Sequence, residues 1–166
     1  MYLLNRIKMT TITYSKKAFS NVFDIFNGSS AVGYLKFSNW NSEIKAYFNG
    51  KNYLFTKKGF WKLGFNVYEA DTHNLVADIE FSSWKQKAEI NLNGQKYFLK
   101  NSNFWGTKWD LVDENKKIIA FHLTSQFWNE EGTISYNIND SEKTSLLVTI
   151  GLATIHIFRR RAAASA

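Results

Sequence analysis

The segment SLLVTIGLATIHIF (145–158) decides the fold, because its apolar side chains cover every side of a helix. A helix that is apolar all round must be buried, either in a protein interior or in a membrane. Fourteen residues span about 21 Å as a helix, whereas a membrane span needs about 20 residues. Thr149, Thr154 and His156 also interrupt the segment. We therefore predict a core helix over about 144–158, with a strand as the competing assignment because β-branched residues are frequent.

The flanks of this segment carry suitable helix-end residues. Asp140 or Ser141 can cap the N-terminus with a side-chain oxygen. Arg159, Arg160 and Arg161 follow the segment, where positive charge suits the negative pole of the helix dipole. The sequence thus predicts one domain over residues 1–158 and a basic, Ala-rich tail over 159–166.

Upstream of the helix, the chain repeats a unit of 44 residues, the spacing that separates Trp40, Trp84 and Trp128. FNGKNYLF (48–55) matches LNGQKYFL (92–99), and Leu35, Ile79 and Leu123 are equivalent, as are Ala46, Ile90 and Ile134. A repeat of this length indicates one supersecondary unit used several times. We interpret the three tryptophans as hydrophobic plugs at equivalent hairpins.

Each unit has the pattern of β-structure. Apolar positions alternate, and the Asn49-Gly50 and Asn93-Gly94 pairs lie between such runs. Asn-Gly is the strongest short-range signal of a type I′ hairpin. A unit then holds about four strands, which in the second unit are expected near 65–69, 75–82, 87–93 and 96–101. Three such units around a buried helix predict a closed antiparallel barrel of about twelve strands without free edges.

This arrangement resembles the tubby-like superfamily, which includes the tubby C-terminal domain, phospholipid scramblases and LURP-one-related proteins. The resemblance covers about Tyr2 to Phe158 and implies a closed twelve-strand barrel threaded by a hydrophobic C-terminal helix. Scrambling is not implied, because the chain has no Cys for the palmitoylated cluster, and Asp110, Asp113 and Glu114 lack the spacing of a calcium loop. A β-trefoil is the alternative fold, since QFW (126–128) resembles the Gln-x-Trp motif of trefoil lectins, but a trefoil has no place for the helix.

Charge excludes some partners and suggests others. The net charge is +7, but the excess lies at the two ends of the chain, and no RNA- or DNA-reading motif is present, so we expect no nucleic-acid partner. Residues 21–64 hold six lysines and two acidic residues, whereas 109–158 hold three lysines and seven acidic residues. A closed barrel would then carry a basic side and an acidic side. No signal peptide is recognisable, which predicts a cytoplasmic protein.

No catalytic constellation is recognisable. His73, His122 and His156 share no metal-ligand spacing, and Asp78 with Glu80 is better explained by an exposed strand face. We expect a monomeric protein that is not an enzyme and that needs no metal and no cofactor. Phe60-Trp61 and Phe104-Trp105 are expected to pack near the barrel ends.

The predicted function is a binding or scaffold module whose partner is an anionic membrane lipid or another protein. The basic side, with Lys51, Lys57, Lys58 and Lys62, would hold the anionic headgroup at the inner face of a membrane. Two alternatives remain open. Segment 145–158 could anchor the chain in a bilayer, or the protein could be a carbohydrate-binding β-trefoil lectin.

Overall fold

The structure is a computed structural model that describes residues 8–39, 42–59, 63–82, 86–125 and 129–165. Twelve antiparallel strands form one closed barrel in which each strand pairs with its neighbours in the chain. The strands are β1 (Thr10–Lys17), β2 (Val22–Asn27), β3 (Ser30–Phe37), β4 (Ile44–Phe48), β5 (Lys51–Lys57), β6 (Gly64–Glu69), β7 (Leu75–Ser82), β8 (Lys87–Leu92), β9 (Gln95–Asn101), β10 (Lys108–Asp113), β11 (Lys116–Ser125) and β12 (Asn129–Tyr136). A single helix, α1, spans Ser141–Ala164.

The barrel closes where the first strand meets the last. β1 pairs with β12 over its whole length, from Thr10 opposite Tyr136 to Lys17 opposite Asn129. This pairing leaves no free sheet edge among the twelve strands, so their backbone groups are satisfied within the sheet. The predicted twelve-strand barrel with a C-terminal helix is confirmed.

The two Asn-Gly pairs form the predicted hairpin turns. Asn49 and Gly50 connect β4 to β5 with φ angles of 48° and 81°, and Asn93 and Gly94 connect β8 to β9 with 51° and 86°. A type I′ turn needs positive φ at both central residues, and this matches the twist of the paired strands. The four strands predicted for the second unit agree with β6 to β9 within two residues at each end.

The repeat has a geometric counterpart in the barrel wall. Leu35 pairs with Ala46, and Ile79 pairs with Ile90, so the same core contact occurs in the first two units. In the third unit Leu123 pairs with Gly132 instead, because the register between β11 and β12 is shifted. A shift of two residues keeps each side chain on its original face, so the buried positions of the repeat remain buried.

The helix is longer than predicted at both ends. It begins at Ser141, because Asp140 caps it by accepting hydrogen bonds from the backbone N–H groups of Glu142 and Lys143, each at 3.0 Å. At the other end, residues 159–164 continue the helix where a separate tail was expected. Arginine and alanine are both strong helix formers, so nothing in this sequence ends the helix at Phe158.

The barrel encloses the helix on every side. All residues from Thr144 to Ile155 are buried, although they point in every direction around the helix axis. The rings of His156 and Phe37 lie 4.5 Å apart, and those of Phe158 and Trp109 lie 5.6 Å apart, so the helix contacts β3 and β10 on different sides of the barrel. The helix is therefore the core of the domain.

Polar side chains are accommodated within the buried helix by bonds to its own backbone. Thr149 donates to the carbonyl oxygens of Ser145 and Leu146 at 3.0 and 2.9 Å, and Ser145 donates to Ser141 at 2.9 Å. These local bonds remove much of the cost of burying a hydroxyl group. Within the ranges that the structure describes, no helix combines the length and hydropathy that crossing a membrane requires. The barrel-enclosed helix also distinguishes this fold from the β-trefoil alternative.

Candidate functional site

The antiparallel topology gives the barrel two distinct ends. At the arginine end, the odd-numbered strands finish, and the last turns of α1 emerge with Arg159–Arg161. At the cap end, the even-numbered strands finish, and α1 begins at its Asp140 cap. The loops β1–β2, β5–β6 and β9–β10 all lie at the arginine end, and successive members of this set are four strands apart around the barrel.

The most exposed aromatic side chains lie at the arginine end. Phe19 in the β1–β2 loop is fully exposed at 102%, and Phe104 and Trp105 in the β9–β10 loop are 91% and 80% exposed. Aliphatic side chains are exposed at both ends, Leu63 at the arginine end and Met9 and Leu75 at the cap end. Large aromatic rings with so little burial, gathered at one end of a molecule, mark an interaction surface. We call four residues of the arginine end the apolar tips: Phe19, Leu63, Phe104 and Trp105.

The β9–β10 loop holds its tips on a rigid base built around Asn103. The side-chain oxygen of Asn103 accepts from the backbone N–H groups of Thr107 and Lys108, each at 3.0 Å, and its amide nitrogen donates to the Thr107 hydroxyl at 2.7 Å. Below the tips, Trp109 Nε1 donates to the Gly106 carbonyl oxygen at 2.9 Å. Phe104 and Trp105 are thus presented to solvent by a hydrogen-bonded loop.

The prediction that Phe104-Trp105 packs near a barrel end is correct for the location and wrong for the packing. The rings contact each other at 5.3 Å and project outward, because Trp109 and Phe158 already fill the barrel beneath them with a stacked pair. A cavity of about 270 Å³ remains between the tips and the last turns of the helix, lined in part by Arg159. Trp40, Trp84, Trp128 and Phe60-Trp61 lie outside the described residues.

Basic side chains surround the apolar tips. Arg159 forms an ion pair with Glu130 at 2.7 Å, and the guanidinium of Arg161 lies over the Phe81 ring at 5.1 Å. Four exposed basic residues occupy the first or last position of a strand at this end or lie in the last turns of the helix, and they form no ion pair with any part of the chain that the structure describes. These four, the free basic group, are Lys17, Lys57, Lys108 and Arg160.

The predicted lysine site does not form one patch. Lys51 begins β5 at the cap end, whereas Lys57 and Lys58 lie at its far end, about 20 Å away for six residues of strand. Lys58 is only 12% exposed, and its Nζ lies 2.8 Å from Asp78 and 3.4 Å from Glu80. Lys57 is exposed at the arginine end, and Lys62 lies outside the described residues.

Lys51 is also engaged by carboxylates. Its Nζ lies 3.4 Å from Glu69 and 3.5 Å from Glu142, the second of which belongs to the first turn of the helix. The hydrogen bond to Glu69, together with the charge of Glu142, raises the pKa of Lys51. This lysine therefore links β5, β6 and α1 at the cap end, which is a structural role.

Positive charge is concentrated at the arginine end, which carries the free basic group and Arg161. At the cap end, six acidic residues are balanced by six lysines within the part of the chain that the structure describes: Glu69, Asp71, Asp113, Glu114, Asp140 and Glu142 against Lys8, Lys51, Lys96, Lys116, Lys117 and Lys143. The sequence had been divided by repeat unit, and this distribution along the barrel axis was therefore not predicted. The signal was present in the strand parity, because an up-and-down barrel places every odd-to-even loop at the same end.

The histidines and the paired carboxylates do not assemble a reaction centre. His73 has a φ angle of 60° in the β6–β7 turn, and His122 is exposed on β11. His156 lies inside the barrel, where burial and the charge of Lys16 lower its pKa to about 3. Among the described residues, no three metal-ligating side chains are grouped. Asp78 and Glu80 lie on the outer face of β7 and hold Lys58.

Comparison with known proteins returned no match to this chain among family models, curated proteins or solved structures. The tubby-like resemblance therefore stays a prediction.

Proposed function

We propose that this protein is a non-catalytic, tubby-like binding module that attaches peripherally to anionic membranes through its arginine end. The observation that carries the proposal is the coincidence of the apolar tips and the free basic group at one end of a rigid barrel. The natural setting for this proposal is the cytoplasmic face of a membrane, where anionic lipids are concentrated.

The two sets of side chains make complementary contributions to membrane binding. Aromatic rings prefer the headgroup region of a bilayer, where Phe104 and Trp105 could enter from their loop. Each lysine or arginine near an anionic surface contributes about 1 kcal/mol. The four members of the free basic group would therefore contribute up to about 4 kcal/mol, which corresponds to about a thousandfold in affinity.

The positions of the tips suggest an end-on orientation. Phe19, Leu63 and the Phe104-Trp105 pair belong to three loops that divide the barrel circumference into thirds. Three contacts distributed in this way would hold the barrel axis close to the membrane normal. The cap end, where acidic and basic side chains balance, would then point away from the membrane, and the positively charged end would face the anionic lipid surface.

A charge-matched pair of variants tests the proposal. The first variant changes the free basic group to glutamine: Lys17, Lys57, Lys108 and Arg160. The control variant removes the same charge at the cap end by changing Lys8, Lys96, Lys116 and Lys117 to glutamine. In flotation with phosphatidylserine-containing vesicles at low salt, we expect the first variant to lose at least a hundredfold in affinity and the control to lose less than tenfold.

An apolar variant separates insertion from simple charge attraction. Replacing Phe104 and Trp105 by serine should weaken binding at high salt more than at low salt, because the remaining attraction is electrostatic and screened. Equal losses in the two charge variants would instead mean that net charge alone drives adsorption. That outcome would contradict a site at the arginine end.

Three additional measurements separate this proposal from the alternatives. A lipid anchor through 145–158 would resist salt, would be extracted only with detergent and would require the core helix to leave the barrel. The headgroup site predicted at Lys51, Lys57, Lys58 and Lys62 would respond to reversal of Lys51, whereas an arginine-end site would not, because Lys51 lies at the cap end. A lectin would bind glycans in the absence of lipid.

A further inference from the structure

A cavity of about 380 Å³ opens at the cap end, between the first turns of α1 and the surrounding strands. Its apolar lining comes from Val76, Leu92 and Leu146, and two tyrosines, Tyr53 and Tyr97, extend into the lining from β5 and β9. The volume falls in the range of small-molecule pockets. This cavity lies at the opposite end of the barrel from the proposed membrane site and is independent of it.

The two tyrosines occupy equivalent positions of the repeat and share an unusual property. Tyr53 is 4% exposed and Tyr97 is fully buried, yet neither hydroxyl has a hydrogen-bond partner among the described residues. A buried hydroxyl without a partner destabilises the folded state, so such groups call for an explanation. Burial and the nearby Glu142 and Glu69 raise the pKa of Tyr53. Its hydroxyl is therefore neutral at physiological pH and can accept a hydrogen bond.

The charges around the cavity favour a cation over an anion. Glu69, Asp140 and Glu142 line it, against one lining lysine, Lys143. Lys51 lies outside the lining but 3.4 Å from Glu69 and 3.5 Å from Glu142, so the three carboxylates and two lysines leave one net negative charge. The helix N-terminus would ordinarily attract an anion, but Asp140 already accepts hydrogen bonds from the N–H groups of Glu142 and Lys143. The ammonium group of Lys143 lies over the Tyr97 ring at 5.0 Å, so the face of this ring already accepts a positive charge.

From these contacts we infer that the cap-end cavity binds a small organic cation, a primary amine on a short apolar chain. The ammonium group would donate hydrogen bonds to the hydroxyl oxygens of Tyr53 and Tyr97 and to a carboxylate of Glu69 or Glu142. The alkyl chain would contact Val76, Leu92 and Leu146. An ammonium group has three N–H donors, which matches these three acceptors.

Three probes of similar length test the chemistry: 1,5-diaminopentane, 1,5-pentanediol and glutarate. The thermal unfolding temperature is measured as each probe is titrated into the full-length protein without lipid. We expect a saturable increase with the diamine and none with the diol or the dicarboxylate. An increase with glutarate, or an equal increase with the diol, would overturn the assignment of a cation site.

The Tyr53→Phe and Tyr97→Phe variants locate the site. Each should weaken diamine binding at least tenfold, while the unfolding temperature without ligand stays the same or rises, because the variant removes an unpartnered buried hydroxyl. Tyr34→Phe, on the outer wall of the barrel, is the control and should bind the diamine like the unmodified protein. Diamine binding that is equal in all three variants, or no diamine binding by the unmodified protein, would refute the inference.

Discussion

Gly151 lies at the middle of the core helix, where it faces the ring of Phe121 on β11. A methyl group added at Gly151 would collide with Phe121 Cζ and would lie only 2.8 Å from Cε2 and 3.1 Å from Cε1, whereas ordinary contacts begin at 3.4 Å. Phe121 is 2% exposed, so its ring has little room to retreat. The close approach of helix and barrel wall therefore requires glycine here.

The Gly151→Ala substitution has two opposing effects on the free energy of unfolding. Alanine is more favourable than glycine in a helix by about 1 kcal/mol. Overpacking a filled core costs about 1–3 kcal/mol, and a contact below 3.0 Å belongs at the upper limit of that range. We expect a net destabilisation of about 2 kcal/mol, or a decrease of about 4–8 °C in the unfolding temperature.

Chemical denaturation of two pairs of variants measures this balance. In a Phe121→Leu background, Gly151→Ala should become neutral or stabilising, because the smaller side chain leaves space for the methyl group. Ala163→Gly, in the exposed last turn of the same helix, measures how much helix propensity contributes to stability where no core contact changes. A Gly151→Ala protein more stable than the unmodified chain would refute the packing of α1 against β11.

Three further substitutions test the interior and the helix cap. Burial lowers the pKa of His156 to about 3 in the folded barrel, against 6.5 in the unfolded chain. Between these two values only the unfolded chain binds the proton, so the free energy of unfolding should fall by about 1.4 kcal/mol for each pH unit below 6.5. His156→Phe should remove this pH dependence in urea titrations, and His122→Gln, at an exposed position, should retain it. Asp140→Ala should cost about 1 kcal/mol in a thermal melt, because two N–H groups lose their acceptor. Leu152→Asp should prevent folding, as judged by circular dichroism, since it buries an unpaired charge; a folded variant would show that α1 is not the core.

The repeat made most of the fold predictable from the sequence. Asn49-Gly50 and Asn93-Gly94 specify two turns through their local backbone preferences. The helix is apolar on every side, so the sequence also indicates that the barrel must surround it. The helix ends were predicted less well, because the capping power of Asp140 was recognised but the helix-forming tendency of residues 159–164 was not. These properties are local or periodic, which is why a single sequence carries them.

The candidate site was predicted poorly because it depends on tertiary structure. Phe104 and Trp105 were predicted to be packed but are exposed. The stacked rings of Trp109 and Phe158 already fill this end of the barrel, and the sequence alone does not show that. Lys58 was predicted to bind a headgroup, but it contacts Asp78 and Glu80 on β7, two strands from β5 and 20 and 22 residues away in the sequence. The sequence contains each of these residues but not the distances between them.

The most direct test of membrane attachment through the arginine end uses single-site fluorescence. Because the chain contains no cysteine, each introduced cysteine provides one labelling site. Ala18→Cys and Ser102→Cys place an environment-sensitive fluorophore at the arginine end, and Ser29→Cys and Asn115→Cys place it at the cap end.

Vesicles containing phosphatidylserine are then added to each labelled protein. Attachment through the arginine end predicts a blue-shifted, brighter emission for the labels at Ala18 and Ser102, reversed by high salt, and no change for those at Ser29 and Asn115. A response of equal size at both ends, a response confined to the cap end, or no response at any of the four positions would contradict this mode of attachment.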